Sequence, residues 1–217
     1  MDLKALLLGN EAVARGLYEA GVRVVSSYPG TPSTEITESV VQYKEDIYAE
    51  WAPNEKVALE VAHGACTGGA RSFCAMKHVG LNVAADPLYT ASYIGVNGGL
   101  VIAVADDPGM HSSQNEQDSR HHAVAAKVPM LEPCDSAECR DYTKLAYTLS
   151  EQFDTPVLLR LSTRIAHSRS LVELGEREDH PLKAYKKDVV KNVMMPAMAK
   201  VRHPFVEQRT EALREWA

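Results

Sequence analysis

Apolar positions along the chain fall into two alternating kinds of run. Short apolar and β-branched runs at residues 22–25, 47–51, 72–76, 100–105, 128–132 and 157–161 read as strands. The clearest is Leu100-Val-Ile-Ala-Val-Ala105, bounded by Gly98-Gly99 and Asp106-Asp-Pro-Gly109; a run with no polar face needs cover on both sides. Between the strands, apolar residues recur at helical spacing. Residues 10–21 put Val13, Leu17 and Ala20 on one face with Gly21 as the stop. Residues 33–43 begin at the capping pair Ser33 and Thr34, residues 86–95 open on Asp86-Pro87, and residues 136–153 form a longer helix. This alternation predicts an α/β domain over residues 1–170, a mostly parallel sheet with helices on both faces in three layers. After residue 170 the composition turns charged and irregular. It ends in an amphipathic helix from Phe205 onward, with Phe205, Arg209, Leu213 and Trp216 on one face expected to dock.

Residues 54–80 combine an acid at a helix start, a small-residue helix and a buried strand. Asn54 is a good N-cap, so Glu55 falls in the first turn, where free N–H groups and the helix dipole favour an anion. On that physics alone Glu55 stabilises a helix start. Val57, Ala58, Val61, Ala62 and Ala65 follow at helical spacing, small enough for a second backbone to approach, and Gly68 and Gly69 end the helix. The turn Ser26-Ser-Tyr-Pro-Gly-Thr-Pro32 lies at the C-terminal end of a strand, where open parallel sheets bind ligands. Thr31 at its tip either satisfies a tight turn or donates to a ligand. The polar segment 110–122 is too long for an ordinary connection, and such loops carry function. Its Arg120 suits a carboxylate if it points inward, although an arginine in a polar loop is more commonly a bracing ion pair.

Composition narrows the classes. A chain of 217 residues holds one large domain and an appendage. A net charge of -6 leaves no basic face for nucleic acid or an anionic membrane. Leu6-Leu-Leu8 runs quickly into Glu11 and Arg15, too short and too charged for a signal core or a membrane span, so a soluble, cytoplasmic chain is expected. Cys66, Cys74, Cys134 and Cys139 have neither zinc-site nor iron-sulfur spacing, and most read as buried thiols. His111, His121 and His122, with Glu116 and Asp118, lack a metal-binding pattern, so no metal site is expected.

Three passages carry a resemblance: Ser26-Ser-Tyr-Pro-Gly-Thr-Pro-Ser-Thr-Glu35, residues 54–80, and Ser112-Ser-Gln-Asn-Glu-Gln-Asp-Ser-Arg120. They resemble the pyrimidine-binding domain of thiamine-diphosphate-dependent 2-oxoacid:ferredoxin oxidoreductases, most closely the alpha subunit of the indolepyruvate type. The likeness runs from Leu8-Gly-Asn-Glu-Ala12 to Met195-Pro196. It implies that Glu55 bonds the remote ring nitrogen of the cofactor's aminopyrimidine and drives it into its imino tautomer, which is general acid/base catalysis through the cofactor. It implies that Tyr28, Pro29 and Gly30 also meet the cofactor, and that Thr31 and Arg120 meet the 2-oxo acid. The complete reaction implied is oxidative decarboxylation of an arylpyruvate, with electrons passing to ferredoxin and coenzyme A accepting the acyl group.

The family's Gly-Asp-Gly motif for diphosphate and magnesium is missing from this sequence, as are cysteine clusters for 4Fe-4S centres. The resemblance assigns these to later domains, so thiamine diphosphate is shared with a domain beyond this chain. Residues 171–217 then read as a linker and helix leading toward it. A second subunit, homologous domains and another copy of the chain are the implied partners. A pyruvate or branched-chain enzyme, or a noncatalytic scaffold domain of the same fold, are the alternatives.

Overall fold

The computed structural model describes residues 3–217. In chain order the elements are β1 (Lys4–Leu8), α1 (Gly9–Glu19), β2 (Val24–Ser27), α2 (Thr34–Val40) with a 3-10 turn at Val41–Tyr43, β3 (Tyr48–Trp51), α3 (Glu55–Thr67), β4 (Ser72–Lys77), α4 (His78–Val83) and α5 (Ala85–Ile94). There follow β5 (Leu100–Asp106), α6 (Arg120–Ala126), β6 (Met130–Leu131), α7 (Ser136–Phe153), β7 (Val157–Ser162), α8 (Thr163–His167), β8 (Arg169–Glu173), α9 (Val189–Asn192) and α10 (Pro196–Trp216).

Six strands form one parallel sheet in the order β3-β2-β4-β5-β7-β6. Side chains alternate across it. Val101, Ala103 and Ala105 of β5 join Leu17 of α1, Ile36 of α2 and Tyr147 of α7, while Ile102 and Val104 join Leu59 of α3, Leu81 of α4, Leu88 of α5 and Ala123 of α6. The three expected layers follow from this period of two, because a central strand apolar at every position must be covered on both faces.

Two features depart from the sequence reading. Leu6-Leu-Leu8 belongs to β1, which pairs antiparallel with β8 and sets Leu6 opposite Leu171. The boundary expected at residue 170 therefore falls inside a strand. Beyond it the chain folds back as a strap. Arg177 donates to the carbonyls of Tyr18 and Val22, and the Lys183 N–H donates to Gly69 O. Glu19, fully buried at the end of α1, gathers Arg15 at 2.9 Å, Arg140 at 2.8 Å and the Gly175 N–H at 2.7 Å, tying the strap to α1 and α7.

The last helix also differs. It starts at Pro196, passes through Pro204, and buries Arg202, Val206 and Arg209, leaving Phe205 and Trp216 exposed. The reason is polar. Arg202 donates to Tyr93 O, and Arg209 donates to the carbonyls of Ser92 and Asp154, which are left open where α5 and α7 end. Asp154 collects Lys191 at 2.7 Å and Arg202 at 3.1 Å. Guanidinium groups on either side of the buried Val206 set the helix rotation, and Phe205 between them faces out.

Candidate active site

The strand order places β2, β4 and β5 side by side, so the segments leaving their C-terminal ends meet. These are the turn at residues 28–33, helix α4, and the loop at residues 107–119.

Glu55 arrives from α3. Asn54 is extended, and its side chain accepts from the Val57 N–H at 3.0 Å, which fixes the first turn of the helix. The Glu55 side chain then leans onto α4. A Cβ built on Gly80 would stand 2.6 Å from Glu55 Oε1 and 2.7 Å from its Cγ, so the carboxylate occupies space that only a glycine leaves. Among the described residues none donates a hydrogen bond to that carboxylate. Cys74 lies nearby; burial first, then the charge of Glu55, pushes its thiol well above the ordinary range.

In the turn after β2, the bracing is done by Ser33 and Thr34. Ser33 N–H and Oγ each donate to Gly30 O at 2.8 Å, and Thr34 Oγ1 accepts from the Gly30 N–H at 2.9 Å. Asn10 reaches in from α1 to Pro32 O at 2.8 Å, and the Thr31-Pro32 peptide is cis. Thr31 itself is exposed, and its hydroxyl makes no hydrogen bond among the described residues. Tyr28 and Gly30 are partly covered and Pro29 is open.

The loop after β5 is held at both ends by adjacent aspartates. Asp106 accepts from the Ser119 N–H at 3.1 Å and from Arg160 Nε at 2.8 Å. Asp107 accepts from the Ser112 N–H at 2.8 Å and from Thr163 Oγ1 at 2.7 Å. Burial would raise the Asp107 carboxyl, but these donors outweigh it and hold it well below the usual carboxylate range. In the sequence this pair reads only as a strand end; the signal that it anchors a loop lies in partners far along the chain. Two contacts bring the loop to β4 and α4: Lys77 Nζ donates to Ser112 O at 3.2 Å, and the buried His78 has Nε2 3.0 Å from Asn115 O.

Arg120 is placed differently from the other candidates. Its Nε lies 2.9 Å from Asp118 Oδ1, its side chain is 58% exposed, and it borders an apolar groove of about 510 Å³ between α6 and α10. This is the bracing ion pair, turned away from an inward role. Glu55, the 28–31 turn and Lys77 converge instead on the strand ends.

Comparisons with known proteins bear on the family and the fold. The family described as "pyruvate flavodoxin/ferredoxin oxidoreductase, thiamine diP-binding" matches residues 15–214. The indolepyruvate oxidoreductase subunit IorA of Archaeoglobus fulgidus is 45% identical over 98% of this chain and 36% of its own length. That of Methanothermobacter marburgensis is 50% identical over 94% of this chain and 34% of its own. The chain thus spans about a third of the length of these relatives. Among solved structures, a 2-oxoglutarate:ferredoxin oxidoreductase from Magnetococcus marinus, with 2-oxoglutarate, coenzyme A and succinyl-CoA bound, superposes with a TM-score of 0.81. The match covers 99% of this chain and 46% of that one, and at 17% identity it speaks to the fold. No helix among the described residues is long and apolar enough to cross a membrane. With a match over residues 15–214, the chain belongs to the thiamine-diphosphate-binding family of pyruvate flavodoxin/ferredoxin oxidoreductases.

Proposed function

We propose that this chain is the pyrimidine-binding part of an indolepyruvate ferredoxin oxidoreductase subunit, acting in the oxidative decarboxylation of an arylpyruvate to an acyl-CoA. The observation that carries the reading is the Glu55 carboxylate, seated against Gly80 at the strand ends and left without a hydrogen-bond donor from the described residues. A partly covered carboxylate without a donor suits an external ring nitrogen. Thiamine diphosphate, when bound, supplies the carbon nucleophile and the electron sink. Glu55 holds a proton between its carboxylate and the remote pyrimidine nitrogen. Tyr28, Pro29 and Gly30, in the turn after β2, are the further residues assigned to the cofactor on this reading. The unused Thr31 hydroxyl is free to donate to the keto oxygen of a 2-oxo acid.

The diphosphate, magnesium and 4Fe-4S centres are assigned to chain or subunits beyond these residues, with ferredoxin and coenzyme A as the remaining reactants. Residues 171–217 still lead toward such domains on this reading, but from a strap bound to the sheet domain. A homo-oligomer is favoured by α3, which leaves Gly64 exposed and Val57, Val61 and Ala65 half-buried along one side. The test is ferredoxin reduction by the full-length enzyme supplied with thiamine diphosphate, magnesium, coenzyme A and indolepyruvate, pyruvate, 2-oxoisovalerate or 2-oxoglutarate. Indolepyruvate should give the highest kcat/KM. Preference for another oxo acid would overturn the substrate assignment, and no turnover with any would overturn the enzyme reading.

A further inference from the structure

Arg120 Nε is paired with Asp118 on an exposed face, away from the turn after β2, where a different cation stands. Lys77 is the last residue of β4, the neighbour of β2 in the sheet, so it lies beside the turn that β2 feeds. A Cβ on Gly30 would meet Lys77 Cδ at 2.9 Å and Cγ at 3.0 Å, so the lysine stem lies flat on that turn, one residue before Thr31. The ammonium then reaches Ser112 O at 3.2 Å, and Ser112 Oγ is 3.5 Å from Thr31 O. Among the described residues no carboxylate lies within ion-pair distance of Lys77. An ammonium carries three donors; the Ser112 carbonyl takes one, and the others and the whole charge are unmatched.

Resting on the functional reading above, we propose that Lys77 binds the carboxylate of the 2-oxo acid while Thr31 addresses the adjacent keto oxygen. A 2-oxo acid presents an anion and a neutral acceptor on neighbouring carbons. The turn presents a free cation and a free hydroxyl on neighbouring strands, with Glu55 across α4. An ordinary solvated lysine explains neither the stem packed on Gly30 nor the head drawn under the 107–119 loop. A lysine here acts as a compact point charge without the fixed fork of an arginine, so it can keep its bond to Ser112 O while meeting the substrate.

The test uses the full-length enzyme loaded with thiamine diphosphate, in wild-type, Lys77→Met, Lys77→Arg and Arg120→Met forms. Two ligands separate charge from shape: indolelactate keeps the carboxylate, and tryptophol lacks it. Lys77→Met should raise the KM for indolepyruvate and the calorimetric Kd for indolelactate roughly thirtyfold or more, as expected for loss of one partner of a charge pair. Its kcat and its affinity for tryptophol should stay within about threefold, and Lys77→Arg should recover most of the loss. Arg120→Met should leave both constants within about twofold, as for an exposed ion pair. Should Lys77→Met not fold, Lys77→Gln keeps a donor for Ser112 O and carries the same comparison. An active wild type with a Lys77 variant that binds indolelactate normally, or that loses tryptophol equally, overturns the role of Lys77 alone. A wild type inert toward every 2-oxo acid overturns the functional reading, and this assignment falls with it.

Discussion

The carboxylate of Glu55 rests on the backbone of Gly80, so close that a methyl group at position 80 would stand 2.6 Å from Oε1. The obstructed atoms are the far end of a flexible side chain, which can swing aside. Gly80→Ala should therefore fold, gaining up to about 1 kcal/mol from the better helix former in α4. Glu55 would be displaced. A shift near 1 Å in a positioned group costs roughly a hundredfold in rate, so turnover should fall by about that factor while the thermal midpoint holds or rises. Equal losses in stability and turnover would mean that the contact serves packing alone.

Asp107 anchors the loop that lies over the site. Asp107→Asn puts an amide where the Ser112 N–H and the Thr163 hydroxyl converge on a carboxylate. The expected cost is about 1 to 3 kcal/mol, confined to the loop. Amide exchange at residues 108–118 should quicken while the central strands stay protected. The wild-type carboxyl sits below its unfolded value, so its contribution is complete above about pH 4 and is lost as the pH falls toward the lower folded value. Loop protection in the wild type should be flat from neutral down to about pH 5 and decline only in acid. Quickened exchange throughout the sheet in the variant would contradict a local anchor.

Glu19 carries the strap. Burial would raise its carboxyl, but hydrogen bonds from Arg15 and the Gly175 N–H and the charges of Arg140 and Lys144 hold it below the usual range. Glu19→Gln leaves Arg15 without its counter-charge, Arg140 retaining Asp141, and should cost about 3 kcal/mol, read as a lower denaturation midpoint. A depressed carboxyl stabilises above its unfolded pKa of about 4.3 and stops doing so as the pH falls through its folded value. The gap between variant and wild type should accordingly be full at pH 7 and close in acid. A gap independent of pH would remove the ionic explanation.

What could be read in the sequence follows how local each signal is. The Leu100–Asp106 strand, the Asn54 cap and the long Ser136–Phe153 helix depend on neighbouring residues, and their patterns leave little choice. The pairing of β1 with β8 joins segments at opposite ends of the domain, and three leucines in a row fit several structures. Arg209 reads in the sequence only as part of a docking face and Arg202 carries no signal, because nothing there reveals the open carbonyls that they satisfy. Within the candidate site, the place of Glu55 at a helix start is legible from the Asn54 cap, and its proposed role comes from the resemblance alone. Lys77 is not legible, since a lysine closing a strand ordinarily lies in water; only its contact with Gly30, 47 positions earlier, gives it a direction.

Thiol chemistry checks the two-sided core. Cys66, Cys74 and Cys139 are buried, and burial pushes the Cys66 thiol up to about 12, so none of them should react in the folded protein. Cys134 is exposed, with its pKa raised by the hydrogen bond to Glu138. Brief labelling at pH 8 followed by peptide mapping should mark Cys134 alone of these four, more slowly than a free thiol. Labelling of Cys66 or Cys74 without denaturant would mean that the α3 face of the sheet opens.

The central claim is that Glu55 acts through the cofactor and does more than start a helix. Glu55→Gln keeps size and shape, and a partly covered charge at a helix start is worth at most about 2 kcal/mol, so the full-length variant should fold and bind thiamine diphosphate. Its amide cannot share a proton with the pyrimidine nitrogen. Deuterium exchange at the thiazolium carbon of the bound cofactor, quenched and read by NMR, should slow by at least about a hundredfold, the lower range for a positioned acid or base. Exchange at the wild-type rate, with the cofactor bound and the protein folded, would contradict the account and leave Glu55 with its helix-start role alone.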